Sequence, residues 1–262
     1  MLNFKKIIAL CASFLLALTL MPPALAIEPM TNPLDEMSVG KSVSYSLEDG
    51  EVKLVDSHNC VVLYIDRPTQ LEGANTLGSV SNAFEQRECI ATILVPYDPE
   101  TNDALYDELE KNMPAILQSA QDGYHEIPKF DQNKCAEFKV GVYYTKELKD
   151  DHFTYYDLTK VVGGYTDSGT SGDYVGENVY VTHQYLDVGQ IGTSYDGEKC
   201  LDQTTFDYQL RASDRDWTYT PPLQWKAVCG NETMCAVGAT YHFTLARGSS
   251  SWSDQIVISA LT

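Results

Sequence analysis

The feature that most constrains this chain is a period-two alternation that recurs in nearly every segment after Lys134. Phe138, Val140, Val142 and Tyr144 stand at every second position. So do Val179, Val181, His183 and Tyr185, then Phe206, Tyr208 and Leu210. Val237, Ala239, Tyr241, Phe243 and Leu245 repeat the pattern, and Ile256 and Ile258 end it. A strand sends successive side chains to opposite faces, so each of these segments needs cover on one face only. Gly163-Gly164, Asp167 to Asp173, Asp196-Gly197 and Gly248 to Ser251 read as the turns between them. Several strands at this spacing predict an antiparallel β-sandwich or jelly roll over 134–262.

The first half is different. Val43, Tyr45 and Leu47 alternate, Glu48-Asp49-Gly50 offers a turn, and Val52 and Leu54 alternate again, so 42–55 reads as a hairpin. Val61 to Ile65 and Ile90 to Val95 are continuous apolar runs, the mark of strands covered on both faces. Between Thr101 and Gln121 the spacing changes to three and four, through Leu105, Leu109, Met113, Ile116, Leu117 and Ala120. That is one amphipathic helix at about 101–121. Asp98, Thr101 and Asn102 are candidate N-caps, and Gly123 is a stop. Pro114 removes a helix hydrogen bond, so a kink or two short helices is expected there. The fold class is therefore mainly β. A smaller portion of strands plus one helix occupies 41–133, and the seam before the sandwich lies near Gln132 to Lys134.

Lys5 and Lys6, the uncharged run Ile7 to Leu20 and the small-x-small Ala24-Leu25-Ala26 predict a signal peptide over 1–26. Residues 27–40, with Pro29 and Pro33, read as a flexible lead-in. The expected location is extracellular. Of the seven cysteines, Cys11 leaves with the signal. The remaining even set, Cys60, Cys89, Cys135, Cys200, Cys229 and Cys235, is expected to form disulfides. A local Cys229–Cys235 bridge is favoured by the short loop. Cys60–Cys89 and Cys135–Cys200 keep the other pairs within one portion each.

The formal net charge of −19 deepens to −21 once Lys5 and Lys6 are removed. Such a chain repels phosphate backbones and anionic lipid, which argues against nucleic acid and acidic bilayers as partners. No later apolar run is long enough to span a membrane.

Signatures of chemistry are sparse. Ser171 between Gly169 and Gly172, with His58 as base, lacks the sequence context of a trypsin-like protease. The five histidines have no zinc spacing and there is no Cys-x-x-Cys, so no cofactor is expected. Calcium is the one metal worth a test, at Asp167 to Asp173 or Asp98 to Asp103, although neither has the EF-hand pattern. His183 reads as a core histidine and His242 as a solvated one.

Tyrosines crowd the stretch from Tyr143 to Tyr195. Aromatic side chains on a sheet can stack on sugars or anchor a protein partner. The candidate binding residues are Tyr155, Tyr156 and Trp217, the last in an apparently exposed loop at 214–220. Trp225, between Leu223 and Ala227, reads as core. The expected function is an exported binding module for a surface protein or a glycan. The alternative is a hydrolase of glycosidase type, in which two of the acids act as a pair.

Overall fold

In a computed structural model of the chain, the described residues are 41–57, 60–69, 84–130, 134–166, 174–176, 178–232 and 234–261. The expected signal peptide and lead-in, His58 and residues Asp167 to Asp173 lie outside them. Among the described residues the protein is mainly β, with two antiparallel sheets and one α-helix.

The first sheet is a meander: β1 (Ser42–Ser46), β2 (Glu51–Asp56), β3 (Val61–Pro68), β4 (Phe84–Pro96), β5 (Cys135–Leu148) and β6 (Thr154–Tyr165), each paired with the next. Two short strands complete its far edge on β6, β10 (Asp216–Tyr219) and β11 (Val228–Cys229). The second sheet centres on β8 (Val179–Gly192). On one side stand β12 (Ala236–Arg247) and then β13 (Ser250–Ser259). On the other stand β7 (Tyr174–Gly176) and β9 (Leu201–Leu210). Between β4 and β5 a single turn of 3-10 helix leads into helix α1 (Asn102–Gln121).

The sheets pack face to face. Tyr64, Ile93, Phe138, Val140, Val142 and Val161 of the large sheet meet Val181, Leu186, Val188, Tyr241, Phe243 and Ile258 of the small one. Phe138 stacks on Phe243 with ring centroids 3.9 Å apart. The other face of the large sheet carries the helix: Val52, Leu54, Leu63 and Ile65 bury Leu105, Tyr106, Leu109, Met113 and Ile116. This explains the continuous apolar runs, because β3 and β4 are covered by the helix on one side and by the small sheet on the other. Pro114 breaks nothing. The helix runs unbroken over twenty residues, with Pro114 exposed and the opposite side pinned to the sheet.

Arg67 anchors the end of the helix. Its guanidinium donates to the carbonyls of Ala120 (2.8 Å), Gly123 (2.9 Å) and Tyr124 (2.6 Å), and to Glu88 (2.8 Å). Ala120 lies in the last turn, and Gly123 and Tyr124 just past the end of the helix, so one buried cation at the negative end of the helix dipole ties that end to β3 and β4. At the start, Asn102 reaches back to Asp56 and to the carbonyl of Ser57. Thr101 does not cap through its side chain, which instead donates to Asp98 O (2.7 Å).

The expected seam at 133/134 divides no sheet. β4 and β5, on either side of it, pair over thirteen residues from Phe84↔Glu147 to Pro96↔Cys135. Gly163 and Gly164 are not a turn but the last part of β6, opposite Trp217 and Asp216. A side chain at Gly163 would run into the Trp217 ring, and one at Gly164 into the carbonyl of Arg215. Glycine is needed there for close approach.

Among the described residues no two cysteines are joined in a disulfide. The register sets Cys89 opposite Asp66, six residues from Cys60. At about 3.3 Å per residue that is roughly 20 Å, far beyond the 7 Å a bridge tolerates. Cys135 opens β5, whereas Cys200 lies beside the opposite end of the sandwich, where Ser194 bridges Val228 and β11 meets the start of β6. Those two pairings do not fit the fold. Cys229 and Cys235 do lie together. An added Cβ at Gly192 would sit 3.3 Å from Cys235 Sγ and 3.6 Å from Cys229 O.

Candidate functional site

The helix covers the large sheet only over its first strands. Beyond it, the same face of β5, β6 and β10 is open. The alternation of β5 sends Phe138, Val140 and Val142 into the sandwich, and therefore sends Glu137, Lys139, Gly141 and Tyr143 to this open side. Across the strands, Lys139 stands between Thr92 and Gly164, and Gly164 faces Asp216. One row along, Gly141 faces Val162 and Val162 faces Thr218. The result is a concavity of about 450 Å³ with Glu137, Lys139, Thr166, Asp216 and Thr218 around the backbone of Gly163 and Gly164.

Its charged groups are unusual for a sheet surface. Burial pushes the Lys139 ammonium below the usual lysine range, against the pull of Glu88 and Glu137. Burial also pushes the Glu137 carboxyl up, partly offset by a hydrogen bond from Thr166 and by Lys139. At the margin, His125 Nε2 lies 2.7 Å from Thr92 Oγ1. Burial, then Lys139 and Arg67, push its pKa down to about 3, so His125 is neutral. Tyr143 is pushed up to about 12 by burial and then by Glu88, and Lys160 Nζ sits 3.9 Å from its ring centroid. Opposed shifts of an acid and a base in one concavity make it the candidate site.

A second concavity, of about 470 Å³, opens on the sandwich side around Arg87. Four acidic residues line it, Glu48, Asp49, Asp66 and Glu85, and the side chains of Asp66 and Glu85 are engaged. Arg87 donates to Asp66 (3.3 and 3.2 Å), to Glu85 (2.7 Å) and to the carbonyl of Asp49 (3.0 Å). Tyr144 donates to Asp66 at 3.1 Å. Carboxylates tied to one guanidinium make a structural node.

The three aromatic residues singled out from sequence do not share a surface. Trp217 is only 8 % exposed, on β10 inside the sandwich, with its ring 5.2 Å from that of Tyr241. The loop reading fails because Trp217 and Tyr219 alternate inward while Asp216 and Thr218 face out. Tyr155 is 5 % exposed, donates to Asp151 (2.7 Å) and meets Tyr195 edge-on at 5.5 Å. Tyr156 is half-buried beside Tyr144 and borders the Arg87 concavity. Trp225 is half-buried against the core.

Of the two strand histidines, His183 leaves the core face expected of it, while His242 keeps the Thr240/Thr244 face. Between Thr244 and Leu245 the pairing of β12 with β8 skips Thr182, and this bulge reverses the facing of the β8 residues beyond it. Val181 points inward and His183 outward. His242 is half-buried, stacked on Tyr185 (4.1 Å, 6°) and 3.0 Å from Asp187.

Asp98, proposed for calcium, accepts the backbone N–H of Glu100 (3.1 Å). Among the described residues, no three His, Cys, Asp or Glu side chains are grouped to hold a metal ion. No described helix is long and apolar enough to cross a membrane.

The groove residues escape sequence reasoning because Glu137, Lys139 and Tyr143 look like the ordinary polar face of an alternating strand. The one available signal is Gly163-Gly164 beside apolar Val161 and Val162, which marks a close backbone approach inside a strand. Comparison of the chain with protein-family models, with curated proteins and with solved structures returns no match.

Proposed function

We propose that the protein is an exported binding module that takes a glycan in the groove on β5, β6 and β10. The observation that carries this reading is the set of polar groups fixed on three paired strands around the backbone of Gly163 and Gly164: the Lys139 donor, the Glu137 and Asp216 carboxyls, and the Thr166 and Thr218 hydroxyls. A sugar presents neighbouring hydroxyls that both donate and accept, which suits such a mixed rim. Rigid strands hold the rim without an ordering cost on binding. The groove is too small and polar for the buried aromatic anchors of a protein interface. The strongly acidic chain also speaks against nucleic acid.

Glycan-array screening of the mature chain, followed by titration of the best hit, tests the reading. Lys139→Met and Asp216→Asn should each weaken binding about tenfold or more while the far-UV spectrum is unchanged. Capture of a protein but no glycan would defeat the glycan reading. A second reading is supported by the raised Glu137 carboxyl, which could act as the acid of a hydrolase with Asp216 across the groove. Turnover of the bound glycan that Glu137→Gln abolishes without loss of binding would decide for it.

The signal peptide and the nearness of Cys229 to Cys235 support export and one local disulfide in the mature protein. Intact mass should fall by the two hydrogens lost, and a non-reduced peptide map should link those two cysteines alone.

A further inference from the structure

Strand β13 stands at the edge of the small sheet. Its pairing with β12 is continuous over ten residues, from Gly238↔Ser259 to Arg247↔Ser250, with no bulge. The bond from Ala260 N to Val237 O (2.8 Å) fixes which groups face which way. Hydrogen-bonded and non-bonded pairs alternate along an antiparallel ladder. Trp252, Asp254, Ile256 and Ile258 therefore bond to β12, and the N–H and C=O groups of Ser251, Ser253, Gln255, Val257 and Ser259 aim away from it. Among the described residues two of these are engaged: Gln255 N–H by its neighbour Asp254 Oδ1 (2.8 Å), and Val257 O by the Tyr64 hydroxyl (3.5 Å).

Two other edges are guarded. β1 is five residues long and preceded by Lys41. β9 is interrupted by a register shift, with Asp207 at φ +52° and Asp202 and Asp207 along it. A long, flat strand without lysine, arginine or proline is the kind of edge that accepts another strand.

We propose that β13 pairs with β13 of a second copy of this chain, antiparallel across a two-fold axis at Gln255. That register sets Ser251 opposite Ser259, Ser253 opposite Val257, Trp252 opposite Ile258 and Asp254 opposite Ile256. The strand's one charge never faces its copy. Elsewhere two copies of a chain with net charge −19 repel, so a contact between copies is favoured where the surface is nearly neutral. Asp254 opposes the pairing by holding Gln255 N–H, which makes the dimer weak and concentration-dependent.

Sedimentation velocity of the mature chain over a concentration series tests this. The wild type should pass from monomer to dimer. Asp254→Ala, which frees Gln255 N–H and removes the charge, should dimerise about tenfold more tightly. Ser253→Pro should stay monomeric, because its N–H points away from β12 and the fold loses no hydrogen bond. If Ser253→Pro does not fold, hydrogen exchange on the wild type serves instead. The amides of Ser251, Ser253, Val257 and Ser259 should gain protection with concentration while those of β1 do not. Monomer for both wild type and Asp254→Ala at the highest soluble concentration overturns the proposal. So does a dimer that leaves these amides unprotected.

Discussion

The two faces of the large sheet are built from the same strands and obey opposite rules. Apart from the Arg87, Asp66 and Glu85 node at one end, the face against the small sheet is apolar from β3 to β10 and closed by aromatic rings, with Phe138, Phe243, Tyr241 and Trp217 in one contact chain. The other face is apolar only as far as the helix reaches. Past it come Glu137, Lys139 and Tyr143, half-buried and shifted in pKa. A covered face is chosen for packing, and truncating it costs a cavity. An uncovered face that still shields charges carries a desolvation cost with no gain in packing, and such costs collect where a protein does its work.

The sharpest way to break this contrast is to cut into both faces at one place. Trp217 lies under Gly163 on the closed side and Asp216 beside Gly164 on the open side. Trp217→Ala should cost about 3–5 kcal/mol in urea unfolding, as expected of a buried aromatic. Asp216→Asn should be near neutral. A loss below about 1 kcal/mol for Trp217→Ala would mean that this side is not a packed core.

Arg67 marks the border between the covered and open parts. Replacing it by methionine strands Glu88 and leaves the carbonyls of Ala120, Gly123 and Tyr124 without their donor. Breaking a buried ion pair from one side costs about 3 kcal/mol. Hydrogen exchange should localise the damage, with the last turn of the helix opening before the sandwich does. Uniform loss of protection would show that helix and sandwich unfold as one unit.

The contrast also explains what can be read in advance. The helix stripe and the doubly apolar β3 and β4 are legible because burial on a given face leaves a period in the sequence. Trp217 reads wrongly as a loop residue because β10 is four residues long, too short for its Trp217/Tyr219 alternation to stand out among polar neighbours. His183 reads wrongly as core because of a bulge, and a bulge is a property of the pairing of two strands rather than of either one. The groove is invisible for a similar reason. Lys139 is chemically ordinary until the fold determines that α1 stops short of it and that Gly163-Gly164 lies beside it.

At the margin of the groove, His125 should make the border visible in a pH titration. Its folded pKa is lowered from 6.5 to about 3. Between those values the unfolded chain takes up a proton that the folded protein refuses. Stability linked to His125 is therefore full above about pH 6.5 and is lost as pH falls towards 3, at up to about 1.4 kcal/mol per pH unit. His125→Gln removes this dependence. Its destabilisation relative to wild type should shrink steadily from pH 7 to pH 4. A gap that stays constant would place His125 in water.

The smallest effect is the most telling, because it carries the opposite sign. Lys139 has a lowered folded pKa, so at neutral pH the folded protein bears the cost of shielding an ammonium that the unfolded chain leaves in water. Glu137 and Glu88 offset part of that cost, and solvent screens the rest because the group is only half-buried. Lys139→Met should therefore leave stability unchanged or raise it by up to about 1 kcal/mol at pH 7, while it removes binding. The gain should fade as pH rises through the folded pKa towards 10.5, because there the wild-type lysine sheds its proton and the shielding cost with it. A substitution that stabilises the protein and abolishes its binding separates the open face from the closed one, where no truncation can do both. If Lys139→Met instead destabilises the fold by as much as Trp217→Ala does, Lys139 is a structural group like Arg67, and the groove loses the feature that sets it apart.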